Sequence, residues 1–210
     1  MPTLELDRKK RDFLLRRSDI LKAAEHIFAV KGYYRATIAD IAQQAQYGVG
    51  TIYLYFEDKQ SLYVSLFAEK MKQLLDLIRE KVEKTDDIFE KIKILIQTQL
   101  EFLAANEDFF RIFFSVREGL RWKVKDRIPA SVVDLQLKFL DYIADLIKQA
   151  QSQGIIKADY HPQKVASILS AIIHSIIVPR LMHKTKNSED VLSQCSFILD
   201  VFLQGVGTKR

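Results

Sequence analysis

The residue types that most often carry chemistry are sparse in this chain and badly spaced for it. Four histidines, His26, His161, His174 and His183, include no pair at the spacing of a helical metal motif. The only cysteine, Cys195, sits inside an apolar stripe and reads as core, and a lone cysteine makes no intrachain disulfide. Gly48-Val49-Gly50 has the composition of a dinucleotide loop, but no strand precedes it. Catalysis, a metal centre and a cofactor are therefore not expected. What remains is the chemistry of hydroxyls and cations. Thr51, Tyr53 and Tyr55 carry hydroxyls along one short stretch, and Lys59 adds an ammonium just beyond it. Such donors suit phosphate oxygens, with ordinary packing as the competing role for the tyrosines. A second cationic group, Arg8, Lys9, Lys10, Arg11, Arg16 and Arg17, is opposed only by Asp12. Its surplus equals the +5 of the whole chain. Two roles are open for it, a solvated, frayed terminus or an electrostatic arm for phosphate.

Elements that could position these groups follow from periodicity. With 7 Gly and 4 Pro in 210 residues, and 48% hydrophobic residues, the chain favours helix throughout. Ile20, Ala23, Ala24, Ile27 and Phe28 form one helical stripe that Gly32 closes. Thr37 reads as an N-cap with Asp40 three residues on, ahead of a short helix carrying Ile38, Ile41, Ala42 and Ala45. Tyr47-Gly48 marks a turn, and Val49 to Tyr55 a third short helix anchored by Ile52 and Phe56. Longer helices follow: Lys59 to about Glu83, one opened by Asp86-Asp87, a Phe-rich segment after Asn106-Glu107-Asp108, Pro129 to about Gln153, His161 to about Thr185, and Ser188 to about Val206. Gly119 to Pro129 reads as basic and irregular. The expected fold is all-α, about nine helices: an N-terminal three-helix helix-turn-helix domain over residues 1–58, and a C-terminal antiparallel helical bundle over 59–210. In a helix-turn-helix the second of two short helices enters the major groove, and Gly50 lets its backbone come close to DNA.

At these residues the chain resembles the DNA-binding domain of TetR/AcrR-type regulators. The likeness is carried by Ile20-Leu-Lys-Ala-Ala-Glu-His-Ile-Phe28, Lys31-Gly32-Tyr33, Thr37-Ile-Ala-Asp-Ile-Ala42, Gly50-Thr-Ile-Tyr-Leu-Tyr-Phe56, Lys59 and Leu62. The resemblance implies phosphate contacts from Thr37, Tyr53, Tyr55 and Lys59, and base-edge or close-backbone contacts from Val49, Gly50, Thr51 and Leu54. Val49 and Leu54 are apolar, so their natural target is a thymine methyl. The turn departs from the family. Where relatives often read Ala-Gly-Val-Ser, this chain has Ala45-Gln46-Tyr47-Gly48. Gly48 is an acceptable N-cap without a hydroxyl; Tyr47 either replaces that hydroxyl or packs in the turn. The stretch Gly50 to Phe56 is also similar to members that sense fatty-acyl thioesters.

The remaining residues resemble the family's ligand-binding and dimerisation half. The helix from His161 is apolar over more than half its circumference, and the last helix adds a second stripe. Two readings stand: a pair buried within one chain, or a four-helix interface with a second copy through Ile168, Ile172, Ile176, Leu192, Cys195, Leu199 and Phe202. A pocket for a lipophilic effector is expected among Met71, Leu75, Leu103, Phe110, Phe113 and Phe114, with Gln99, Arg117 and His174 as polar groups for a ligand head. The same residues also read as core. Expected partners are double-stranded operator DNA, a second copy of the chain and a hydrophobic small molecule that releases the DNA. Activation in place of repression, or a helical binding protein that reads no DNA, are the alternatives. No uncharged apolar run reaches the ~18 residues that span a bilayer, and the N-terminus lacks a signal-peptide core, so a cytoplasmic protein is expected.

Overall fold

From Thr3 to Lys31 the chain has neither Gly nor Pro, and its Lys, Arg, Leu and Ala residues favour helix. The computed structural model accordingly contains a first helix, α1, over Pro2–Lys31. It describes residues 2–122, 129–183 and 191–207, and the side chains of 8–113, 116, 129–176 and 194–207. At 30 residues α1 is not the short helix expected, and the basic stretch from Arg8 to Arg17 is its continuation. The remaining helices are α2 (Ile38–Ala45), α3 (Val49–Tyr55), α4 (Lys59–Val82), α5 (Ile88–Ala105), α6 (Glu107–Trp122), α7 (Ala130–Ser152), α8 (Pro162–His183) and α9 (Val191–Val206). Nine helices among the described residues agree with the all-α expectation. An isolated bridge between Ile156 and Gly207 is their only β pairing.

Two details differ from expectation. The separator between α5 and α6 is a single residue, Asn106. Its backbone N–H donates to Leu103 O and its side-chain amide to Phe102 O (2.8 Å), so Glu107 and Asp108 fall in the first turn of α6. Acidic residues suit that positive helix end. Helix α6 then continues through Gly119 to Trp122, because one Gly weakens a helix without ending it. Residues 123–128 of the expected irregular stretch, and the expected cap Ser188, lie outside the described residues.

The chain forms two compact units, Met1–Glu69 with Arg111–Pro129, and Lys70–Phe110 with Ala130–Arg210. The change from one unit to the other falls inside α4, between Glu69 and Lys70, and no breaker interrupts that helix from Lys59 to Val82. In the first unit α1 packs on α2 and α2 on α3. Ile20, Ala24, Phe28, Ile41, Ala42, Ile52 and Phe56 make its core. In the second unit α5 is the hub, packed by α7, α8 and α9. It is buried on most of its circumference, including Ile92, Leu95, Ile96, Leu100 and Leu103. Asp87 starts α5 by accepting from the N–H groups of Phe89 and Glu90, and Gly154, at φ +71°, stops α7.

Candidate nucleic-acid interface

Helix α2 is fixed at its start by a reciprocal cap. The Asp40 N–H donates to Thr37 Oγ1 and the Thr37 N–H donates to Asp40 Oδ2, both at 3.1 Å. Lys31 Nζ adds an ion pair to Asp40 at 2.7 Å, tying the end of α1 to the start of α2. The Lys31 bond, then those from Thr37, hold the Asp40 carboxyl below the ordinary aspartate range. Thr37 remains exposed, as a phosphate contact requires.

The turn that aims α3 closes on Gln46. This residue lies in the left-handed region at φ 58°, ψ 35°, the only non-glycine among the described residues with positive φ. Its N–H donates to Gln43 O, and the Tyr47 N–H reaches back to Ala42 O at 3.0 Å, the bond pattern of a Schellman motif. A glycine at this point costs nothing sterically; a side chain there costs about 1 kcal/mol. Tyr47 OH approaches Asp19 Oδ2 at 3.5 Å, which links the turn to α1. Gly48 then caps α3 without a side-chain bond.

Helix α3 divides cleanly. Ile52 and Phe56 are buried, each burial contributing roughly 2–3 kcal/mol, so the helix is held from one side. The other side carries Val49, Gly50, Tyr53 and Leu54, all exposed, with Leu54 at 79%. Thr51 is half-buried. A Cβ at Gly50 would meet nothing within 4 Å, so nothing in the chain itself demands glycine there.

Two of the expected contacts have other tasks. The Tyr55 ring stacks on Phe13 of α1, with centroids 4.6 Å apart. Lys59 Nζ turns inward, donating to Tyr34 O (3.2 Å) and Ala36 O (3.0 Å) and lying 4.8 Å from the Tyr33 ring centroid. Two of its three N–H donors are thus committed to the loop between α1 and α2, and burial lowers its pKa. Beneath it Tyr33 packs against Phe28, Tyr34 and Tyr63, and burial raises the Tyr63 phenol. The sequence reading missed Phe13, although it stands seven residues before Ile20 on the same helical face. Arg17, one base of the cationic group in the sequence, pairs with Glu69 and lies over the Phe56 ring at 5.4 Å.

In the second unit Gln99 and Leu103 are buried on α5, Phe110 is buried, and Met71, Leu75 and His174 are half-buried. Gln99 Nε2, Thr98 Oγ1 and Ser170 Oγ are buried with no hydrogen-bond partner. Phe113 belongs to the first unit, its ring against Phe67 at 5.3 Å. The side chains of Phe114, Arg117 and Leu192 lie outside the described residues. Cys195, Leu199 and Phe202 are buried in the chain's own core. The Cys195 thiol donates to Lys93 O of α5 at 3.7 Å, and burial raises its pKa. Among the described side chains, the exposed large apolar ones are Phe197 (56%) and Val201 on α9 and Ile168 (50%) on α8.

A buried anchor face opposite an exposed apolar and hydroxyl face, on the second helix of a capped two-helix turn, defines a helix-turn-helix DNA-binding protein. The comparisons agree. Residues 20–66 match the family model of bacterial regulatory proteins of the tetR family, and residues 67–205 match that of the C-terminal region of YsiA-like proteins. The chain belongs to the tetR family of ligand-responsive, DNA-binding transcription regulators. The fatty acid metabolism regulator protein of Bacillus subtilis is 24% identical over 194 residues, 90% of this chain and 95% of that protein. The fold is shared with the fatty acid degradation regulator FadR of Bacillus halodurans (TM-score 0.79, 23% identity, 90% of this chain and 95% of that one). It is also shared with FadR of Bacillus subtilis in complex with stearoyl-CoA (TM-score 0.78, 23% identity, 90% and 98%).

Proposed function

We propose that the chain is a homodimeric repressor that holds an inverted-repeat operator and is released from it by a lipophilic effector, with long-chain acyl thioesters as the first candidates. The observation that carries the DNA half is the outer face of α3. Leu54 at 79% exposure has no structural reason to be apolar, whereas a thymine methyl in the major groove supplies one. Val49, Gly50, Thr51 and Tyr53 extend that surface, with Thr37, Tyr47, Gly48, Tyr55 and the remaining donor of Lys59 at its margins.

Two copies meet through the outer faces of α8 and α9, where Ile168, Phe197 and Val201 are exposed and Ile172 and Ile176 half-buried. A dimer carries two copies of α3, as an inverted repeat with half-sites about one helical turn apart requires. The effector site lies in the second unit, near Gln99. Its amide Nε2 is buried without a hydrogen-bond partner, next to the equally unpartnered hydroxyl of Thr98 and among the buried apolar side chains of α5, which suits a carbonyl oxygen carried by a hydrophobic ligand. The bacterial relatives named for fatty acid metabolism, one of them bound to stearoyl-CoA, support that choice.

Selection from a random duplex pool tests the first half: recovery of an inverted repeat is expected, and a pool without enrichment refutes DNA reading. Adding stearoyl-CoA to the selected complex tests the second. At least a tenfold loss of affinity is expected, equivalent to about 1.4 kcal/mol of coupling; unchanged affinity at saturation rejects the acyl thioester.

A further inference from the structure

The basic stretch of α1 lies outside the helix-turn-helix core. It is helical, and Arg8, Lys9, Lys10, Arg11 and Arg16 are all exposed. On a helix, side chains three and four residues apart share a face. Lys9, Lys10, Arg16 and Arg17 stand at those spacings on either side of Phe13, and Phe13 is the residue that stacks on Tyr55 of α3. The bases nearest that stack therefore point to the side of α1 that meets the recognition helix. Arg17 is already engaged by Glu69 and Phe56, which pins the base of the arm. Lys9, Lys10 and Arg16 extend over about 10 Å of helix axis at 1.5 Å per residue.

We propose that this arm is a second DNA-binding element. Lys9, Lys10 and Arg16 lie on the phosphate backbone beside the groove that α3 reads, and the Phe13–Tyr55 stack locks the arm to the recognition helix. DNA fits this patch because the bases are concentrated on the face joined to α3, and one duplex offers a charge every ~1.7 Å along its axis. The inference rests on the assignment of α3 to the major groove. It adds that the arm sets strength and salt dependence rather than sequence preference.

The test uses the full-length protein and a 30-base-pair duplex of mixed sequence, with affinity measured by fluorescence anisotropy across a salt series. The variant Lys9→Gln, Lys10→Gln, Arg16→Gln is expected to lower the slope of log affinity against log salt by about two to three per chain, close to 0.9 for each phosphate no longer neutralised. Affinity at low salt should fall at least tenfold. Phe13→Ala is expected to weaken binding severalfold while circular dichroism shows the helices intact. Leu54→Ala serves as the contrast and should leave the slope unchanged. A triple variant with the wild-type slope overturns the arm, as does full affinity in Phe13→Ala. A wild-type chain that ignores duplex even at low salt overturns the reading of α3 as well, so the two failures are distinguishable. Vesicles of phosphatidylglycerol and phosphatidylcholine provide the other polyanion. Arm-dependent vesicle binding with an unchanged duplex slope would assign the patch to membranes and overturn the proposal.

Discussion

Gln46 and Gly50 show how single positions in the reading head trade stability against grip. Gln46 holds a left-handed conformation that glycine adopts freely. Gln46→Gly should therefore stabilise the fold by about 1 kcal/mol, raising the midpoint of thermal unfolding by roughly 3 °C for a chain of this size. Scanning calorimetry checks this; a fall in the midpoint would mean that the Gln side chain contributes more than the backbone loses. Gly50 behaves in the opposite sense. It sits within α3 with open space around a would-be Cβ, so Gly50→Ala should also stabilise by about 1 kcal/mol. The added methyl stands on the surface proposed to face DNA, however, and on that reading operator affinity should drop by about tenfold even as the melting point rises. Lower affinity with no gain in stability would point to misfolding instead.

At the scale of elements, the short helices were the most legible part of the sequence. Thr37 and Asp40 announce the start of α2, and Ile52 with Phe56 identifies the buried side of α3, because caps and helical periodicity are local physics. Three features escaped for non-local reasons. Phe13 extends the stripe of α1, but its partner Tyr55 lies on a separate helix, far along the chain. Lys59 looks like a free cation until the carbonyls of Tyr34 and Ala36 fold around it. On α9 the apolar stripe could not say which residues face α5; packing places Cys195, Leu199 and Phe202 inward and leaves Phe197 and Val201 outside. The α1–α2 link carries a pH prediction. The Asp40 carboxyl titrates below its unfolded value, so the stability it gives is complete above the ordinary aspartate range and fades as pH falls through the folded value. Melting curves of Asp40→Asn and the native chain should differ at neutral pH and converge in acid; a constant gap would show that the loss is not electrostatic.

For the whole molecule, α4 matters most. Its residues to Glu69 belong to the first compact unit and those from Lys70 to the second, so one unbroken helix carries the chain from the reading head into the regulatory half. That continuity is what a two-state regulator needs: an effector that prefers one setting of the helix shifts the population of the other. Assembly has its own test. Replacing Phe197 with Glu puts a charge on the outer face of α9 while leaving Cys195 and Phe202 in their core. It should convert a dimer to a monomer in sedimentation velocity and lower operator affinity by at least tenfold. A dimer that survives this change would move the interface elsewhere.

The turn at Gln46 also bears on how such a protein diversifies. Changes in α3 that alter the preferred operator will usually cost some stability, and most chains sit close to the limit they tolerate. Here the adjacent turn holds an unused increment that one substitution releases. A library of α3 variants built on Gln46→Gly should therefore yield more folded proteins with new operator preferences than the same library on the native turn.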